Sequence, residues 1–200
     1  MERETLESAA TKYAYLRGLF GLPIGLLFIL SALANWEVGP LSELWAFPVV
    51  ALAVGALCLP INRYYNEHYG KASPSAKQHA QGAAAVLFCV VMVGGGSTLL
   101  RSEASWSLDL PVNTIAVTFG LAMLISFGVA IGWQAHHVII WGLLVVAGAL
   151  PVWNGADPSN IGMLMAGAAV MASGVFDHRL FVATFGSPNL VGVGRSDVGA

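Results

Sequence analysis

Few residues in this chain have the type and spacing to do chemistry. The most suggestive are its histidines, His68, His79, His136, His137 and His178, since imidazole is the side chain best suited to bind a transition metal or haem near neutral pH. All five fall near what the hydropathy pattern makes one membrane face, so His79, one of His136 and His137, and His178 would approach one another from the inner ends of different spans. His136 and His137 are adjacent, and neighbouring side chains on a helix project about 100° apart, so only one of the pair is expected in such a cluster. A bis-histidine haem inside the bilayer needs deeper ligands than these. The expectation is therefore no metal and no cofactor, with the histidines solvated at an interface.

Two other arrangements fail on distance or spacing. Asp177-His178 has the form of a base and its orienting partner, and Gly96-Ser97 offers a hydroxyl. The serine, however, stands near the outer end of one apolar run and the histidine near the inner end of another, almost a bilayer apart. Asp177 beside Arg179 reads more simply as an interfacial charge group. Cys58 and Cys89 lie inside separate apolar runs, without the close spacing of a redox or metal pair. No Asp, Glu, Lys or Arg lies deep in any apolar run, which disfavours ion-coupled transport through a buried charge. No catalytic residue is assigned. A facilitator lined by Ser97, Thr98, Thr118, Ser126 and backbone stays open, as does a membrane enzyme or metal-binding protein working at the inner face.

The elements that must position these residues are membrane spans. Of 200 residues, 56% are hydrophobic and only 10% charged, with a mean hydropathy of +0.71, far from a soluble domain in which about a quarter are charged. A net charge of -2 gives no basic field, so nucleic acid is not an expected partner. Apolar runs cover about 17–34, 44–61, 81–100, 112–132, 137–151 and 161–176, the last continuing to Phe181. The fold expected is all-α, an integral membrane bundle of six transmembrane helices in three hairpins. Its spans occupy 17–181, between an N-terminal tail, 1–16, and a small-residue C-terminal tail, 182–200. Ala32-Leu33-Ala34 resembles a signal-peptide cleavage site, but the segment before it is charge-balanced rather than basic, which argues against cleavage.

Basic residues orient the bundle. Arg3, Lys12, Arg17, Arg63, Lys71, Lys77, Arg179 and Arg195 fall on one side and Arg101 alone on the other, placing both termini in the cytoplasm of a bacterial-type plasma membrane. Every tyrosine lies on the basic side, while Trp36, Trp45, Trp106 and Trp153 mark the opposite interface. Trp141 is expected at or just below the inner surface. Gly21 with Gly25, and Gly128 with Gly132, form small-xxx-small pairs suited to close helix packing. The partners expected are the lipid bilayer and either a second copy or another membrane subunit.

An internal echo links the outer hairpins. Gly25–Trp36 resembles Gly142–Trp153, and Arg63, Tyr65, Tyr69 and Gly70 recur as Arg179, Phe181, Phe185 and Gly186. Separated by an even number of crossings, the copies would be parallel repeats. These eight residues are the expected interfacial anchors: rings in the headgroup layer, arginines on phosphate, and a glycine ending each helix.

Overall fold

The computed structural model describes residues 13, 15–43, 45–70, 84, 87, 91, 112–150 and 158–186. Among them all regular structure is helical, as the apolar periodicity requires. Helix α1, Gly21–Asn35, is entered through a single tight turn, Gly18–Phe20; α2 is Ala46–Ala56, α3 Cys58–Tyr69, α4 Thr114–Ile131, α5 Ala135–Ala149 and α6 Pro158–Phe185. Four segments are long and apolar enough to cross a membrane: Gly18–Asn35, Pro48–Tyr69, Thr114–Ile131 and Ser159–Phe185. Helix α5 is apolar but shorter. Most of the run at 81–100, including Gly94–Gly96, Ser97 and Thr98, lies outside the described residues, as do His79, Cys89, Trp106, Trp153 and most of both tails. Helices α2 and α3 form one span interrupted at Leu57, because Pro60 has no N–H to return to the Ala56 carbonyl and its ring crowds that group.

The bundle is built on an antiparallel pair, α1 against α6. Small residues make the approach possible: a Cβ placed on Gly25 would stand 2.5 Å from the Gly167 carbonyl oxygen, one on Gly167 2.7 Å from the Gly25 oxygen, and one on Gly21 2.9 Å from the Val170 oxygen. The expected Gly21/Gly25 face is thus a helix seam, continued by Gly18 against Gly174. The Gly128/Gly132 pair is not one. Gly128 faces the indole of Trp133, and Gly132, at φ +82, ends α4 with nothing packed on it. The second tight hairpin, α4 with α5, closes through Gly120 against Val145 and Gly148 against Ala116, and packs its Phe119, Trp141 and Leu144 onto Ala166 and Val170 of α6.

Among the described residues, polar side chains tie the helices together near both ends of the bundle. At one end Asn35 Nδ2 donates to Asn160 Oδ1 at 2.8 Å, and buried Asn113 caps α4 by accepting from the Ala116 N–H at 3.1 Å while its own N–H donates to the Gly148 carbonyl at 2.8 Å. The polar level at the other end is at Asp177. At 1.5 Å per residue the stretch from Asn160 to Asp177 measures about 25 Å, close to the hydrocarbon thickness of a bilayer.

Adding a side chain at the seam should therefore loosen the whole bundle. Gly174→Ala should cost about 1–3 kcal/mol and lower the melting temperature of the detergent-purified protein by about 3–10 °C. Gly142→Ala, where nothing stands within 4 Å, should leave it unchanged or slightly higher. Circular dichroism melts decide between these outcomes.

Candidate functional site

Along α6 the residues Ala166, Val170, Ser173, Asp177 and Phe181 recur three or four apart and are all buried. Asp177 is thus carried into the interior by helical geometry, whereas Arg179, two residues on, points outward and is exposed. This corrects the expectation of an interfacial charge group: Asp177 is only 3% exposed. A buried carboxylate needs compensation, and the first turn of α5 supplies it. His136 Nε2 lies 2.8 Å from Asp177 Oδ1, in hydrogen-bonding geometry, and His137 Nε2 lies 2.9 Å from the same oxygen. The N–H direction of His137 misses that oxygen, so its contact is close without being a hydrogen bond, and both of its buried ring nitrogens are left without a hydrogen-bond partner. Ser173 Oγ donates to Asp177 Oδ2 at 3.3 Å. The carboxylate also faces the start of α5, where the helix dipole favours negative charge.

Both adjacent histidines therefore join the cluster, contrary to the expectation that only one would. The 100° separation describes where their Cβ atoms point. In the first turn of a helix no preceding turn crowds the imidazoles, and the rings converge until their centroids are 4.1 Å apart. Phe127 stacks on His137 at 4.0 Å and lies parallel to Trp141 at 6.1 Å. Trp141 is accordingly packed inside the bundle, fully buried one turn from His137.

A second polar and aromatic layer adjoins this one. The Tyr65 hydroxyl accepts from the Leu19 N–H at 3.3 Å, which leaves its own proton to donate to His178 Nδ1 at 2.9 Å. The Arg17 guanidinium lies over Tyr65 at 4.8 Å and Phe20 at 5.1 Å, and donates to Asn62 Oδ1 at 2.9 Å. Tyr13 donates to the Gly70 carbonyl at 2.6 Å, just past the end of α3. Burial pushes the Tyr13 hydroxyl above its ordinary pKa, partly offset by the nearby Arg17 charge.

The echoed segments meet here. Tyr65 and Phe181 are both fully buried and cross edge to face at 5.1 Å, Tyr69 packs on Phe181 at 4.7 Å, and Phe185 on Phe181 at 4.8 Å. Gly70 and Gly186, at φ +81 and +88, follow the last residues of α3 and α6. Arg63 is exposed and paired with Glu67 at 2.6 Å. The first echoed pair is less alike: Gly25 sits in the α1–α6 seam, while Gly142 faces open space.

Of the histidines expected to converge, His178 is engaged by Tyr65 and His79 lies outside the described residues; His68, not among them, has Nδ1 2.8 Å from the Tyr64 carbonyl oxygen. The cluster that forms is His136, His137 and Asp177, whose ligand atoms all lie within 4.8 Å of one another. The signal missed in the sequence was the spacing of Asp177 from Val170 and Ser173, which puts it on the seam of α6. No known protein family, curated protein or solved structure matches this chain.

Removing the Tyr65 hydroxyl tests the layer. Tyr65→Phe keeps the ring packing but strands the Leu19 N–H, and should cost about 1–3 kcal/mol. Tyr65→Ala also empties the aromatic cluster and should cost about 3–5 kcal/mol. Chemical or thermal unfolding in detergent measures both, and a Tyr65→Phe variant as stable as the unaltered chain would show that the hydroxyl contributes nothing.

Proposed function

We propose that this chain is a multipass protein of a plasma membrane, crossing it six times with both ends in the cytoplasm, and that it acts as a membrane subunit through its inner end. Four apolar helices of spanning length support membrane insertion. The count of six adds α5 and the run at 81–100. Helix α5, at about 22 Å, is shorter than the hydrocarbon core; its inner end meets Asp177, itself at the inner polar level. Arg17, Arg63 and Arg179 all sit at the end of the bundle that holds the histidines, and exposed Trp36 and Trp45 at the other, which supports the cytoplasmic assignment. Arg63 and Arg179, with the partly buried Tyr69 and Phe185, would hold that end in the headgroup layer. Exposed Leu52, Leu59, Val129 and Leu143 would face lipid, a second copy or another membrane subunit.

One observation carries the emphasis on the inner end. Among the described residues, the buried side-chain polar atoms without a hydrogen-bond partner are Arg17 Nε, Tyr69 Oη, both ring nitrogens of His137, and Trp141 Nε1 one turn above it. Two hydroxyls on the apolar stretches of α1 and α4 are instead satisfied by their own helices: Ser31 donates to the Leu27 carbonyl at 2.7 Å and Thr118 to the Thr114 carbonyl at 2.7 Å. Each of these hydroxyl protons is thus committed within its own helix. Free binding capacity gathers where the histidines are, which favours a binding role at the cytoplasmic face over a facilitator.

Reporter fusions test the topology. Fusions after Gly70, at Gln134 and after Gly186 should be active only with a cytoplasmic reporter, and fusions after Val38 and Leu150 only with an exported one. Arg63→Glu combined with Arg179→Glu should lower the correctly oriented fraction. An exported signal at Gln134 would overturn the proposal.

A further inference from the structure

We infer that His136, His137 and Asp177 form a binding site for one divalent first-row transition-metal ion, held by two imidazole Nε2 atoms and a carboxylate oxygen. The inference deepens the proposal above and rests on its reading of the inner end as the working part. Three features carry it. The donor set is right: two imidazoles and one carboxylate suit zinc, cobalt or iron(II), and disfavour magnesium and calcium, which take oxygen ligands. The spacing is right as well, with Asp177 Oδ1 2.8 Å and 2.9 Å from the two Nε2 atoms. Cis ligands about 2.1 Å from an octahedral ion stand about 3.0 Å apart, so each imidazole stands at a cis-ligand distance from the carboxylate oxygen, and all three ligand atoms lie within 4.8 Å of one another.

The third feature is independent of the other two. His137 is 2% exposed, holds Nε2 against the carboxylate, and makes no hydrogen bond from either nitrogen. A buried imidazole in that condition loses the interactions it had in water. Coordination of a cation by its Nε2 lone pair would offset the loss. Support around the site agrees: Ser173 Oγ holds the second carboxylate oxygen at 3.3 Å, as outer groups do around bound metals. The His136 side chain, 18% exposed, opens the cluster to the inner surface and leaves the remaining coordination positions to water or a small ligand.

The test uses the full chain, purified in detergent without a histidine tag, stripped with chelator and titrated with cobalt(II) and zinc(II). One ion per chain is expected, with X-ray absorption of the zinc form showing two imidazole ligands. His137→Gln and Asp177→Asn should each weaken binding by about 100-fold or more, beyond the loss usual for an outer-shell partner. A triple variant, His68→Gln with His79→Gln and His178→Gln, leaves His136 and His137 as the only histidines and decides the matter even if the ligand variants fail to fold. Retention of one ion with two imidazoles in that variant supports the site. No binding by the unaltered chain, or loss of imidazole ligation in the triple variant, overturns it. An exported reporter at Gln134 with the ion still bound would remove the inner-end reading alone; cytoplasmic reporters with no ion bound would remove the site alone.

Discussion

The constraint on which the rest of the structure depends is the burial of the Asp177 carboxylate near the end of a long apolar helix. Moved out of water, such a group is tolerated only if donors and positive charge surround it. The donors come from the first turn of α5 and from Ser173 on α6 itself. Because α5 must begin at Asp177, the reversal at Gly132 must be tight, and α4 is drawn against α6 together with α5. On another side of the same turn of α6, Gly18 leaves so little room that an added Cβ would lie 2.6 Å from Asp177 Cβ and 2.7 Å from the His178 nitrogen. Tyr65 brings α3 to His178. One turn of α6 thus receives three other parts of the chain, and polar contacts rather than hydrophobic burial decide which faces meet. In lipid that is the expected division of labour, since apolar side chains gain little by leaving hydrocarbon for one another.

The two polar levels also explain the shape of the bundle. Asparagines at one end and the histidine, aspartate and tyrosine layer at the other are separated by about one hydrocarbon thickness. Between them the helices meet through glycine, alanine and aromatic rings. Among the described residues the asparagines at the first end are engaged in capping and cross-links, whereas the buried polar atoms without a hydrogen-bond partner include both ring nitrogens of His137 at the second.

Much of this was legible in the sequence because it depends on averages or on glycine. Hydropathy revealed the helical membrane class, Gly21 and Gly25 revealed the principal seam, and the aromatic and basic residues pointed to the two ends. Asp177 was misread because hydropathy sums neighbours without regard to direction. Asp177-His178-Arg179 looks like an edge, yet on a helix its three side chains diverge: one enters the core, one meets Tyr65 and one reaches solvent. The histidine pair was misread by applying ideal helical directions to a helix start. Composition alone did not show that the Trp141 indole packs against Phe119 and Phe127. The echo was read from matching residues, but a match does not reveal that Tyr65 and Phe181 face each other inside the bundle.

The central claim is that Asp177 lies buried between the two histidines in the membrane-embedded protein. Solid-state NMR of the full chain in lipid bilayers, labelled with nitrogen-15 in histidine and carbon-13 in aspartate, measures this most directly. The account predicts dipolar transfer from the imidazole nitrogens of both His136 and His137 to the Asp177 carboxyl carbon, abolished by Asp177→Asn without aspartate label at that position. Absence of transfer in the unaltered chain, with the Asp177 carboxyl signal instead exchanging freely with water, would contradict it.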